Sequence, residues 1–487
     1  MRYGYAASAV RAAEQSLMAQ LPEGALMQRA AAGLARRCAV LLGSVYGSRV
    51  VLLVGSGDNG GDALYAGARL AQRGARVDAV LLSERHHAGG AEALRRAGGR
   101  VTAVDSSDAL LGSADLVIDG ITGIGGSGGL RGPAVQIASG LAAARDTENG
   151  PLVVSVDLPS GVDADTGEVA GLCISADVTV TFGALKPGLL VDPGRTHAGV
   201  VELVDIGLTP HLPATPEVVL VDADEVDAAV PRPEPEAHKY SRGVVGVVAG
   251  SDDYTGAAVL AVGAAIAAGA GMVRYVGPRH VADLVRAQWP EAVVEAGDGG
   301  AAGVKGAGRV QSWVVGPGLG IQAGEVLSAV LASDLPVVVD AEAIAPLAEA
   351  GGRSGVLATP HAGELARALG VEREDVEARR LHWVREAAQR WQCAVLLKGS
   401  TTVVAEEGAP TRVSSTAPSW TATAGAGDVL AGACGALVAS GQPAGIAGGV
   451  GAFLHGLAAG IAADGDAPIR ASDLIRHWPD AVRAVRD

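Results

Sequence analysis

The chain has 487 residues, more than one ordinary hydrophobic core holds, so two or three domains of roughly 100–200 residues are expected. Apolar residues make up 49% and charged residues 19%, which excludes a disordered chain and a coiled coil. The net charge of −15 argues against nucleic-acid and anionic-membrane partners, yet backbone N–H nests can still hold a small anion.

Residues 6–43 read as two helices separated at Leu21-Pro22-Glu23-Gly24. Val50–Val54 is an unbroken apolar run, the pattern of a parallel strand covered on both faces. A helix over 61–73 and strands over 76–82, 115–119, 152–157 and 177–182 follow, giving an α/β layered domain. The Pro-rich stretch PRPEPEAH cannot continue a helix or a central strand, so 211–235 is expected to link a domain 1–210 to a domain 236–487. The second domain opens a new α/β series: strand 244–249, helix 256–269, and strands 272–276, 312–316 and 336–340. Ala394–Leu397 and Thr402–Ala405 flank Lys398-Gly399-Ser400-Thr401 as a possible hairpin.

Cys38, Cys173, Cys393 and Cys434 form no CxxC pair and no metal-ligand spacing, so buried thiols in a reducing compartment are expected. The N-terminal MRYGYAASAVRAAEQ lacks a signal-peptide core, and no uninterrupted apolar run reaches 18 residues. The expectation is a cytoplasmic homo-oligomer with no nucleic-acid or membrane partner.

Three loops at strand ends in the first half carry chemistry. GSGDNGGDA (55–63) is a glycine-rich turn into a helix, suited to phosphate, with Asp58, Asn59 and Asp62 added. Asp119 precedes the glycine loop 120–129, and VDLPSG (156–161) sets Asp157 beside Ser160. If the strands are neighbours, Asn59, Asp119, Asp157 and Ser160 offer oxygens to a hard cation and one carboxylate for proton transfer.

In the second half, TATAGAGDVLAG (421–432) combines a small-residue loop, a helix N-terminus and Asp428. Loop amides can hold a phosphoryl group while Asp428 stands beside a reacting oxygen. His361 and Glu364 lie in TPHAGE (359–364), and LKGSTT (397–402) supplies a lysine and hydroxyls suited to nucleotide phosphates. The chain has only four lysines, Lys186, Lys239, Lys305 and Lys398, among 38 basic residues. A lysine kept where arginine is the habit points to a need for a compact point charge.

The pieces AAEQ…ALMQRAA, GSGDNGGDA, DGITGIGGSG, VDLPSG and TFGALKPGL cover about 8–207, and this half resembles the NAD(P)H-hydrate epimerase domain. The resemblance implies a Rossmann-like three-layer sandwich and potassium ligation by Asn59, Asp119 and Ser160. It implies contacts to the hydrated dinucleotide from Asp58, Asn59, Gly60, Gly61 and Asp62. Further contacts are implied from Gly123, Ile124, Gly125, Gly126, Ser127, Gly128 and Gly129, and from Asp157 as the acid/base. Lys186 also falls in the pattern. Asp58, Ala63, Thr122 and Ile124 depart from it.

With TPHAGE, KGSTT, TATAGAGDVLAG and FLHGLA (453–458), residues 236–487 resemble the ADP- or ATP-dependent NAD(P)H-hydrate dehydratase of the ribokinase-like superfamily. The resemblance implies adenine-nucleotide binding by Lys398, Gly399, Ser400, Thr401, Thr402 and Gly427. It implies that Ala257, Gly318, His361 and Asp428 face the hydrated dinucleotide. Ala341-Glu342-Ala343, where Asp-Ala-Asp is typical, and Trp420 depart from the pattern. ADP is the expected donor and magnesium the expected metal, with no ligand set assignable.

The reading that follows is a bifunctional α/β enzyme repairing hydrated NADH and NADPH. One half interconverts the R and S hydrates, and the other dehydrates the S form at the expense of a nucleotide, releasing AMP and phosphate. A ribokinase-superfamily small-molecule kinase with a non-catalytic N-terminal binding module is the other reading.

Overall fold

The computed structural model describes all residues except positions 1, 103, 105, 106, 127, 298, 299 and 487. The chain divides into two compact units, Tyr3–Val218 and Val219–Asp487.

In the first unit seven parallel strands form one sheet: β1 (Arg49–Val54), β2 (Arg76–Leu81), β3 (Arg100–Thr102), β4 (Leu116–Gly120), β5 (Leu152–Val156), β6 (Val178–Phe182) and β7 (Val200–Val204). Their order is β3-β2-β1-β4-β5-β6-β7, with the direction of spread reversing at β1/β4. The unbroken apolar run of β1 serves both faces. Val50, Leu52 and Val54 pack on one side with Leu34, Leu64 and Leu70. Val51 and Leu53 pack on the other with Ile137 and Leu141. Successive side chains alternate across the sheet, so each face has its own helical cover. This is the three-layer sandwich expected. The helix begins at Asp58 rather than 61, so the glycine loop of GSGDNGGDA is itself its first turn.

In the second unit the strands are β8 (Val244–Val248), β9 (Met272–Pro278), β10 (Val293–Gly297), β11 (Ser312–Val315), β12 (Val337–Val339), β13 (Val356–Ala358), β14 (Ala394–Leu397), β15 (Thr402–Ala405) and β16 (Thr411–Ser414). Within an eleven-stranded sheet they run in the order β16-β15-β14-β13-β12-β11-β8-β9-β10, with the short strands Val218–Leu220 and then Arg2–Gly4 beyond β16. Pairing is parallel from β14 to β10, and β15 and β16 are added antiparallel. The strands β8, β11, β12, β13 and β14 therefore all end at one edge of the sheet. Helices Thr255–Ala267, Ala426–Ala439, Ala444–Ala462 and Ala471–Ala484 bury one face in a single core. The helix Ala444–Ala462 is long and apolar enough to cross a membrane by length and composition, but 72% of its apolar window is buried inside the fold. It is a core helix whose apolar run is interrupted by His455.

The expected linker, 211–235, is folded over part of its length. It holds a helix, Ala223–Ala229, whose Val226 and Ala229 join the core of the second unit.

Candidate active sites

In the first unit the ends of β1, β4 and β5 meet around Asn59. Its Nδ2 donates to the carbonyls of Val156 (2.5 Å) and Thr122 (3.2 Å), tying three strand-end loops together. Glycine is required at 123, because a Cβ there would lie 2.4 Å from Asn59 Oδ1. Asp119 is fully buried. Its Oδ1 accepts from Ser160 Oγ (2.6 Å) and Ile121 N (3.3 Å), and its Oδ2 accepts from Ser155 Oγ (2.8 Å) and Ser160 N (2.9 Å). Burial raises its pKa above the ordinary carboxylate value, against the pull of these hydrogen bonds.

Asp157 stands just past β5 with φ at 67°, a left-handed conformation that a non-glycine residue adopts only when its surroundings enforce it. The enforcement is visible. Asp157 N donates to Val180 O (2.8 Å), and Oδ1 accepts from Thr181 Oγ1 (3.0 Å), Phe182 N (3.3 Å) and the ammonium of Lys186. Lys186 is 1% exposed and also reaches Thr181 Oγ1 at 2.9 Å. Asp157 Oδ2 has no partner among the described residues, so this carboxylate is held by one oxygen and offers the other.

Two further carboxyls look into this region. Asp62 is buried, and its Oδ1 lacks any partner among the described residues. Burial, then the neighbouring charges of Asp157, Asp58 and Glu14, push it well above the ordinary range. Glu14, from the helix Ala7–Met18, is raised by burial first, with Lys186 opposing and Asp157 and Asp58 adding. In the sequence Glu14 stands only as part of AAEQ. The acidic crowding that implicates it arises from tertiary packing.

The 123–129 loop is spread out. Ile124 O accepts from Arg11 Nη2 (2.5 Å), and Gly126 N closes a turn on Gly123 O (2.8 Å). Gly126, Gly128 and Gly129 line a cavity of about 400 Å³ with Gly55 and Thr122, and Asp157 is not among its walls. Gly60 and Gly61 lie buried in the first turn of the helix, while Asp58 is exposed. Ser127 lies outside the described residues.

In the second unit the shared strand edge gathers charge. Lys398, just after β14, sets Nζ 2.8 Å from Asp340 Oδ1 and 3.9 Å from Glu364 Oε2. Asp340, just after β12, is 2% exposed and also accepts from Thr359 Oγ1 at 2.9 Å. A Cβ on Gly427 would lie 3.2 Å from Lys398 Nζ, so the AGAG loop and the lysine share one wall. Burial works against the charge of Lys398, but Asp340, Glu364 and Asp428 outweigh it and raise its basicity. Asp428, in the first turn of helix Ala426–Ala439, is pushed up to about 7 by burial and then by Asp340, with Lys398 opposing. Asp340 was absent from the sequence-predicted set, although it adjoins the Ala341-Glu342-Ala343 departure.

His361 caps the helix Ala362–Leu369. Its Nδ1 accepts from Gly363 N (3.0 Å) and Glu364 N (3.3 Å), and Glu364 Oε2 accepts from His361 N (2.8 Å). The ring is exposed, and the backbone bridges to Lys398. Ala257 and Gly318 adjoin each other, since a Cβ on Gly318 would lie 2.9 Å from that of Ala257. Gly318 N donates to Glu342 Oε2 (3.1 Å), and the Glu342 charge is among those raising Asp428. In the 398–402 loop, Gly399 and Ser400 are exposed, Thr402 opens β15, and Thr401 is buried. Below the AGAG loop, buried His455 of FLHGLA pairs Nε2 with Ala426 O at 2.9 Å. Burial lowers its pKa to about 4, so the ring is neutral and Nε2–H is the donor.

The fold and the two clusters define a two-domain α/β enzyme, one site per unit. A ribokinase-like superfamily protein from Enterococcus faecalis shares the fold of the second unit, with TM-score 0.51 and 20% identity over 55% of this chain and 96% of that one. The family described as NAD(P)H-hydrate dehydratase matches residues 245–479, and that described as YjeF-related protein N-terminus matches residues 23–188. The bifunctional NAD(P)H-hydrate repair enzyme of Mycobacterium leprae is 45% identical over 505 aligned residues, covering 100% of both chains. That of Mycobacterium tuberculosis H37Rv is 47% identical over 91% of each. The chain belongs to the bifunctional NAD(P)H-hydrate repair enzymes, with an N-terminal epimerase domain and a C-terminal dehydratase domain.

Proposed function

We propose that Asp157 moves the proton in epimerisation, within the unit Tyr3–Val218, and that Asp428 is the base of the dehydratase, within the unit Val219–Asp487. The observation that carries this reading is the pairing of Asp428, pushed up to about 7, with the Lys398–Gly427 wall. A base poised near neutrality accepts the proton of the hydrate hydroxyl as its oxygen attacks the terminal phosphoryl group of ADP. The bond from phosphorus to the AMP oxygen breaks. Phosphate then departs with the C6–O bond, a C5 proton is lost, and the dihydronicotinamide double bond returns. Lys398, the loop amides at Gly399–Thr402 and Gly427 steady the phosphates, while Ala257, Gly318 and His361 border the hydrate.

Among the described residues no group of three His, Cys, Asp or Glu side chains is arranged to hold a metal. Magnesium therefore suits this site as a partner of the nucleotide phosphates, keeping water ligands. Potassium fits the epimerase site in another way. Asp119 is buried with only neutral donors around it, and Asn59 Oδ1 has no partner among the described residues. Asn59, Asp119 and Ser160 would hold the cation, which supplies the missing counter-charge. Asp58 to Asp62, Gly123 to Gly129 and Asp157 would bind the hydrated dinucleotide. The four free thiols support a reducing, cytoplasmic setting.

The test is product analysis. Hydrated NADH of both epimers with ADP or ATP should regain dihydronicotinamide absorbance in step with free phosphate and AMP or ADP. A stable phosphorylated product would overturn the reading in favour of a kinase.

A further inference from the structure

Arg380 opens the helix Arg380–Trp391 and is 5% exposed, although nothing in its sequence neighbourhood marks it. Its Nη2 donates to the carbonyls of Leu397 (3.3 Å), Lys398 (3.0 Å) and Thr401 (3.0 Å). These carbonyls bracket the loop 398–402 from both ends. In a trans peptide the C=O and the following N–H point in opposite directions. Fixing the Lys398 carbonyl on Arg380 therefore turns the N–H of Gly399 to the other side. Gly399 is exposed and its N–H has no partner among the described residues, whereas the N–H of Lys398 is spent on Pro360 O (2.9 Å). Gly399 closes against the guanidinium, since a Cβ there would lie 2.4 Å from Arg380 Nη2.

We infer that Arg380 is the positioning residue of the dehydratase nucleotide loop. It holds the Lys398–Gly399 peptide so that the Gly399 N–H is presented to a nucleotide phosphate beside the Lys398 ammonium. The inference rests on the reading of 398–402 as the nucleotide site. Arginine suits the task because its rigid, planar guanidinium aims one terminal nitrogen, Nη2, at carbonyls from both ends of the loop, where a lysine ammonium would sit on a flexible stem.

The test is steady-state kinetics of the full chain, with ADP varied at saturating S hydrate. Losing charged hydrogen bonds that shape a binding loop should raise the KM for ADP about 10- to 100-fold in Arg380→Met. kcat at saturating ADP should stay within about threefold, the mark of lost uniform binding. Arg380→Lys should recover part of the affinity. Where Arg380→Met does not fold, Arg380→Gln, which keeps a donor near the loop carbonyls, should give the same split in weaker form.

An unchanged KM for ADP would overturn the inference. So would a matched loss of kcat and of affinity for both substrates with a lower melting temperature, which a merely structural arginine gives. Ser400→Glu separates the two readings by placing a negative charge on the loop. If it leaves the KM for ADP unchanged, the nucleotide-site reading fails and the inference with it. If it raises that KM while the Arg380 variants do not, the inference alone fails.

Discussion

Lys398 Nζ lies 2.8 Å from Asp340 Oδ1, joining the ends of β14 and β12 directly beside the AGAG loop. Asp340 is almost wholly buried, so removing its charge leaves the lysine with Glu364 at 3.9 Å as its nearest carboxylate. Asp340→Asn is expected to cost the second unit about 3 kcal/mol, the order found when one partner of a buried pair is lost. Urea denaturation read on that unit measures this. The same change removes a charge that raises Asp428, so the acid limb of the dehydratase pH profile should move down.

The pH dependence of the dehydratase follows from Asp428. With a pKa of about 7 the base is protonated below neutrality, so kcat/KM should rise with pH and level off above about 8. Stability runs the other way. A carboxyl raised in the folded state binds its proton there more tightly than in the unfolded chain. The folded state is thus favoured at low pH and loses that advantage as pH climbs from about 4 to 7. Asp428→Asn should accordingly stabilise the protein more at pH 8 than at pH 5, read from urea midpoints.

Asp157 makes a prediction that separates strain from chemistry. Its φ of 67° suits glycine and penalises other residues. Asp157→Gly and Asp157→Ala should both lose epimerase acceleration, but the glycine variant should be more stable than the alanine one by about 1 kcal/mol. Equal stabilities would show that the neighbours, and not the residue, tolerate the conformation.

His455→Leu leaves the Ala426 carbonyl without its imidazole donor. The expected cost is about 1–3 kcal/mol, with dehydratase activity falling and epimerase activity unchanged. With its folded pKa lowered to about 4, His455 contributes stability that is present above pH 6.5 and is lost as pH falls towards 4. The acid sensitivity of wild type over that window should diminish in the variant.

Much of this was legible in the sequence because it is written in local signals. Val50–Val54 announced a strand buried on both faces, and β1 is one. The halves were separable by their independent strand–helix series. The glycine loops marked strand ends, and parallel topology brought Asn59, Asp119, Asp157 and Ser160 together. The short strands β3, β7, β10 and β16 were harder to see, having only three to five residues each and little alternation. Asp340, Glu14 and Arg380 carry no local signature. Their importance comes from what the folded chain sets against them, which no spacing in the sequence encodes.

The most direct test of the whole account uses resolved epimers and two single variants, Asp157→Asn and Asp428→Asn, with ADP and magnesium. Asp157→Asn should dehydrate the S hydrate at the wild-type rate and convert the R hydrate only as fast as it epimerises uncatalysed. Asp428→Asn should equilibrate R and S as fast as wild type and return no NADH. Catalysed R-to-S conversion in Asp157→Asn, or recovery of NADH from the S hydrate in Asp428→Asn, would contradict the account.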